Sequence, residues 1–163
     1  MKANKSFFIF FILLLCCSTF GIAQGSNIVT LNVNSNEINS ENVLQSCFFT
    51  WEKPDGTIST SGSGPELQEW LITVDESEII EWKGKSSSSE DVVVNIIQIK
   101  RESGTKIFNG NILKGNGDPS GEKIRAKPSK KTNSEDGDYK YKIKFKVKGV
   151  NGTFRIDPKI KVN

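Results

Sequence analysis

Apolar and polar residues alternate along most of this chain. Val29, Leu31 and Val33 are separated by Thr30 and Asn32, and Cys47, Phe49 and Trp51 share one side of the segment 43–53. Trp70, Ile72 and Val74 repeat the pattern, as do Ile80 and Trp82 between Glu78, Glu81 and their neighbours. A two-residue period places side chains on opposite faces of a strand, so each stretch predicts a half-buried strand. Val92 to Ile99 is apolar on both sides apart from Asn95 and Gln98, which predicts a central strand. No window carries apolar residues at helical spacing over three turns.

Turn signals divide the strands. Pro54-Asp55-Gly56 predicts a reversal into Thr57–Thr60, and Glu102-Ser103-Gly104 turns the chain into Lys106–Leu113. Ser86–Ser89, Gly115–Gly121 and Lys130–Asp138 read as polar loops, with a short strand at Ile124–Ala126. The last segment has the strongest pattern. Tyr139, Tyr141, Ile143, Phe145 and Val147 alternate with Lys140, Lys142, Lys144, Lys146 and Lys148. Asn151-Gly152 then suggests a two-residue hairpin turn, which sets Val147 opposite Ile156, Ile143 opposite Ile160 and Tyr141 opposite Val162. Pro158 lacks a donor and is expected to turn its N–H side outward, at an edge or bulge.

Together these elements predict an all-β chain: a single β-sandwich of about 8–10 strands, immunoglobulin-like or cupredoxin-like Greek key, ending in a 139–162 hairpin. The spacing of Ile72–Trp82, Val92–Ile99 and the closing hairpin resembles cupredoxin-like sandwiches. The resemblance is one of architecture, because copper sites of that family need histidine and this chain has none. The domain is expected to span 24–163.

Residues 1–23 read differently. Lys2 and Lys5 precede an apolar run from Phe7 to Cys17, shorter than the roughly 20 residues of a membrane span. Gly21 and Ala23 then provide small residues at cleavage spacing. The segment resembles secretory signals of Gram-negative bacteria. It predicts cleavage after Ala23 and a secreted or periplasmic location. Of three cysteines only Cys47 lies outside it, so no intramolecular disulfide is available to the domain, and Cys47 reads as a buried thiol.

Composition removes most catalytic chemistries. Without histidine there is no Ser-His-Asp or Cys-His activation and no ordinary catalytic zinc site. No phosphate-cradling glycine loop opens a helix. Catalytic, metal and cofactor residues are therefore expected to be absent. Glu66, Glu69, Glu78 and Glu81 are the open candidates for a carboxylate-pair hydrolase. Asn116-Gly117-Asp118 and Ser134–Asp138 are oxygen-rich loops whose composition turn chemistry explains more simply than calcium does. Trp51, Trp70 and Trp82 would form a sugar platform only if two faced outward together.

Charge adds the sharpest feature. Residues 24–99 hold twelve acids and three bases, whereas residues 100–163 hold seven acids and seventeen bases. The net charge of +3 conceals this division. In the expected register Lys148 faces Arg155, Lys144 faces Lys159 and Lys142 faces Lys161, while Lys146 meets Asp157. Lys140, Lys142, Lys144, Lys148, Arg155, Lys159 and Lys161 are thus the candidate anion-binding residues. The competing readings are a solvated face and one neutralised by acids of the first half. The expected function is a non-catalytic exported binding or structural module, with the hydrolase or a subunit of a surface assembly as alternatives. The expected partner is an unknown protein, an anionic polysaccharide or an envelope component. Nucleic acid is disfavoured because the aromatics interleaved with these lysines point to the core.

Overall fold

The computed structural model describes residues 25–118 and 120–163. It is an all-β sandwich of two mixed sheets. The strands are β1 (Asn27–Val33), β2 (Cys47–Glu52), β3 (Ile58–Thr60), β4 (Leu71–Val74), β5 (Ile80–Ser86), β6 (Val94–Ser103), β7 (Ile112–Lys114), β8 (Ile124–Ala126), β9 (Tyr139–Val147), β10 (Phe154–Ile156) and β11 (Lys159–Val162). One helical turn, α1 (Glu66–Glu69), precedes β4. It is too short to leave a helical period in the sequence.

The first sheet runs β3-β2-β1-β5-β8 and the second β4-β11-β9-β6-β7, with β10 also paired to β9. Two contacts are parallel, β1 with β5 and β4 with β11; the others are antiparallel. Alternation explains the core. Tyr139, Tyr141, Ile143, Phe145 and Val147 are all buried on β9, against Val29, Leu31, Phe49, Trp51 and Trp82 from the first sheet. Trp82 crosses the interior and donates from Nε1 to Tyr141 Oη at 3.2 Å, which ties the two sheets by a polar contact. Phe108 packs edge-on against both Trp82 and Tyr139.

On β6 the buried residues are Val94, Ile96 and Ile99, a three-residue step that breaks strict alternation. A β-bulge between Ile96 and Gln98 absorbs the extra residue and returns Ile99 to the core. The apolar character on both sides of 92–99 is therefore the signature of a bulge in a strand flanked by β9 and β7.

The closing hairpin has a different register from the expected one. Phe154 pairs with Phe145 and Ile156 with Ile143, where Val147 was expected opposite Ile156. Asn151-Gly152 is not the two-residue turn expected, because that turn needs positive φ at both positions and no non-glycine among the described residues, Asn151 included, has it. The chain instead turns first at Val147–Val150, with Val150 N–H donating to Val147 C=O at 3.1 Å and Gly149 at φ +84°. The displacement is even, so every side chain keeps its face and hydrophobic pattern alone could not detect it. Pro158 is buried at the break between β10 and β11, which adds a strand to the expected number. Its carbonyl accepts from Tyr141 N–H at 3.1 Å, so the proline sits against β9 within the sheet and does not turn toward an open edge.

Cys47 is buried at the start of β2, and burial pushes its thiol from the ordinary 9.0 up to about 12. Its native thiol should resist alkylation at pH 8 and react once urea unfolds the chain. Because the folded pKa lies above the unfolded one, this contribution to stability is complete below about pH 9. It is lost as pH rises toward 12. Urea midpoints that stay flat from pH 8 to 11.5 would contradict the buried placement.

Candidate anion-binding face

The outer surface of the second sheet collects the basic residues. On β9, inward aromatics force Lys140, Lys142, Lys144 and Lys146 to the outer face. β6 sets Lys100 beside Lys142 and Gln98 beside Lys144, while β10 sets Arg155 on the other side of Lys144. Gln98, Lys100, Glu102, Lys142, Lys144 and Arg155 line one depression of about 250 Å³.

The cations there are not equivalent. Lys142 Nζ lies 3.2 Å from Glu102 and 3.9 Å from Asp157. Lys159, opposite Lys140 on β9, pairs with Glu69 of α1. That hydrogen bond, assisted by the charge of Lys159, holds the Glu69 carboxyl below the usual carboxylate range. Lys100, Lys144 and Arg155 form no ion pair among the described residues. Lys144 and Arg155 stand directly opposite each other, an arrangement that costs about 0.2–1 kcal/mol where nothing lies between. Asp157 supplies the counter-field. Burial raises its pKa, Lys142 pulls it down, and its Oδ1 has no hydrogen-bond partner among the described residues.

Seven residues were expected to form the site, and the structure groups only some of them. Lys142, Lys144 and Arg155 meet in the depression. Lys148 lies beyond β9, in the turn, with its N–H bonded to Val93 C=O at 2.9 Å. Lys161 stands beside Thr73 of β4, and Lys140 and Lys159 form the neighbouring row. The expected pairs Lys148–Arg155, Lys144–Lys159 and Lys142–Lys161 are therefore replaced by Lys144–Arg155 and Lys140–Lys159. The ion-pair partner of Asp157 is Lys142 and not Lys146. Lys100, Gln98 and Glu102 were missed. They alternate along β6, but only the pairing of β6 with β9 brings them to the site.

Partial neutralisation by acids of the first half is seen at one point, Glu69 on Lys159. The other early acids lie mostly in loops, such as Glu37, Glu41, Asp55, Asp75, Glu76, Glu90 and Asp91.

The remaining candidates resolve into structural roles. Glu78 Oε2 accepts from Asn27 Nδ2 at 2.9 Å and from Asp75 N–H at 3.0 Å, while Asn27 Oδ1 receives Trp51 Nε1–H at 2.9 Å. Glu66 and Glu69 are on α1, Glu78 is in the loop that leads into β5, and Glu81 is on β5. Asp118 Oδ1 caps its own turn by accepting from Ser120 N–H and Oγ–H at 2.8 and 2.7 Å. Asn133 Oδ1 does the same for Asp136 N–H at 2.7 Å. No group of three or more His, Cys, Asp or Glu side chains with metal-holding geometry occurs among the described residues. Trp51 and Trp82 are core residues, and half-buried Trp70 stacks on Phe49 at 4.8 Å.

Fold and site together define a class: a two-sheet β-sandwich whose second sheet presents a cationic outer face. No protein-family model matches the sequence, and no curated protein matches it. Among solved structures the fold is similar to the crystal structure of the inclusion body protein PixA from Burkholderia cenocepacia J2315, with a TM-score of 0.52 and 10% sequence identity over 88% of this chain and 98% of that one. This comparison overturns the expected secreted or periplasmic location, because the neighbour is an inclusion body protein. The segment 1–23 that carried the export reading lies outside the described residues. No helix among the described residues is long and apolar enough to cross a membrane.

Proposed function

We propose that this protein is a non-catalytic binding module that holds an anionic polymer, of the polysaccharide type, against the outer face of its second sheet. The observation that carries the reading is the depression in which Lys100, Lys144 and Arg155 converge without acid partners. Strand geometry spaces such cations about 4.8 Å apart across strands and about 7 Å along them, so a linear polyanion can meet several at once. The residue row Arg155–Lys144–Gln98–Lys114 continues the basic line across β10, β9, β6 and β7. Burial of Tyr139, Tyr141 and Phe145 leaves β9 no ring for base stacking, which favours a polysaccharide over a nucleic acid. A non-catalytic role agrees with a neighbour of the same fold that is an inclusion body protein.

The test is retention on immobilised heparin in a salt gradient. Replacing Lys100, Lys144 and Arg155 together with Gln should weaken binding about tenfold, since exposed charge contacts contribute roughly 0.5 kcal/mol each. Replacing Lys148, Lys159 and Lys161, which lie outside the depression, removes equal charge and should change retention much less. Equal losses for the two triples would leave only a diffuse charge effect and defeat the proposal.

A further inference from the structure

We propose that the two free edges of the second sheet, β4 and β7, are complementary docking surfaces through which copies of this chain join head to tail into one continuous sheet. The exposed aliphatic residues point to these edges. Among the described residues, the exposed large hydrophobics are Ile58, Leu71 and Ile112, at 64%, 41% and 48% exposure. All three lie on edge strands, and Leu71 and Ile112 mark opposite edges of the second sheet. In the first sheet only the β3 edge carries such a residue; exposed on the β8 edge is Arg125.

Edge strands normally carry a charge, a proline or a bulge that blocks further pairing. β4 reads Leu71-Ile72-Thr73-Val74 and has none of these. Its backbone is set for a partner. Trp70 and Val74 direct their carbonyls to β11, accepting from Lys159 and Asn163 N–H at 2.9 and 3.0 Å. Alternation therefore turns the N–H and C=O of Leu71 and Thr73 to the open side. On β7, Asn111 C=O accepts from Arg101 N–H at 2.9 Å and Gly115 N–H donates to Ile97 C=O at 2.8 Å. That leaves the polar backbone of Ile112 and Lys114 outward.

Direction and charge both select a heterologous joint. β4 runs parallel to β11, and three antiparallel steps lead from β11 through β9 and β6 to β7. β7 thus runs opposite to β4, so a copy displaced sideways along the sheet presents β7 antiparallel to β4. Leu71 then meets Lys114 and Thr73 meets Ile112, with Leu71 and Ile112 as diagonal neighbours on the same face. Acids flank β4 at both ends, Glu66 and Glu69 before it, the latter paired within the chain to Lys159, and Asp75 and Glu76 after it. On β7 the base is Lys114 at its end; beyond it Asn116 N–H donates to Lys123 C=O at 3.2 Å, and Glu122 lies against Gly115. A β4–β4 joint would bring acids onto acids, whereas β4–β7 brings the Glu66 and Glu69 end of β4 beside Lys114 and sets Asp75 near the uncharged Asn109-Gly110. An interface of this kind does not close on itself and adds copies in a line. The strands are short, so the contact is weak and driven by concentration.

Sedimentation velocity of the full chain from about 10 µM to about 1 mM tests this, because edge contacts of this size fall in that affinity range. The mean mass should rise without a plateau and fall again in high salt. Thr73→Pro removes an outward donor on β4, and Ile112→Pro does so on β7. Each variant alone should remain monomeric, and an equimolar mixture should form dimers and nothing larger, because one intact edge of each kind remains. Thermal melts establish that both are folded, and Leu71→Lys replaces Thr73→Pro if that variant is not. A wild-type chain that stays monomeric throughout overturns the proposal. So does an Ile112→Pro variant that still associates, or a mixture that gives no dimer.

Discussion

Gly104→Ala should lower the melting temperature by roughly 10 °C, a loss of about 3 kcal/mol, as read by circular dichroism. Gly104 follows β6 at φ +79°, where an L side chain is strained. A Cβ at this position would also collide with the backbone carbonyl of Asp138, just before β9. Neither partner can move away cheaply. Gly104 C=O accepts from the Arg101 guanidinium, with Nε at 3.1 Å, and Asp138 leads directly into a strand whose inward residues are fully buried. Gly56 is the control. It has nearly the same φ, +82°, but nothing within 4 Å of its would-be Cβ. Gly56→Ala should show the conformational part alone, about 1 kcal/mol. Equal losses at the two positions would show that residues 104 and 138 are not in contact.

Trp82→Ala should cost more, about 5 kcal/mol in urea denaturation. Trp82 heads the fully buried side chains by volume, at 1% exposure, and lies on β5 against β9 of the opposite sheet. Its removal leaves a cavity between Phe108 and Tyr141, whose ring centroids each lie 6.0 Å from its own. It also strips the Tyr141 hydroxyl of its donor. Domains of this size have about 5–15 kcal/mol in total, so the variant should be close to unfolded at 25 °C. Tyr141→Phe removes the bond but keeps the ring, and should cost only about 1–2 kcal/mol. A Trp82→Ala loss below about 2 kcal/mol is incompatible with a wedge between the sheets.

The faces of the strands were legible because burial has the period of the backbone. Tyr139 through Val147 announced which side of β9 was inward, and hence where its lysines would stand. The partners of that strand were not legible. A hairpin slipped by an even number of residues buries the same side chains, so Val147–Ile156 and Ile143–Ile156 pairings look alike in sequence. The discriminating feature was backbone conformation: glycine at 149 and not asparagine at 151 takes positive φ. The candidate site suffered from the same gap. Lys142, Lys144 and Arg155 were found from their own strands, while Lys100 and Gln98 depend on a bulge and on a neighbour distant in the chain.

The parallel contact between β4 and β11 also sets a timetable. β4 occupies residues 71–74, and the strand that covers its inner edge is β11, at 159–162. During synthesis at about 5–20 residues per second, that stretch waits on the order of ten seconds for its partner. β1, β2, β3 and β5 have all emerged by residue 86 and can pair with one another in the meantime. Most of one layer, all but β8, can therefore assemble before the strands that complete the other have been made. For that interval an uncharged aliphatic ribbon is open on both sides, and a nascent-chain chaperone would find its target there.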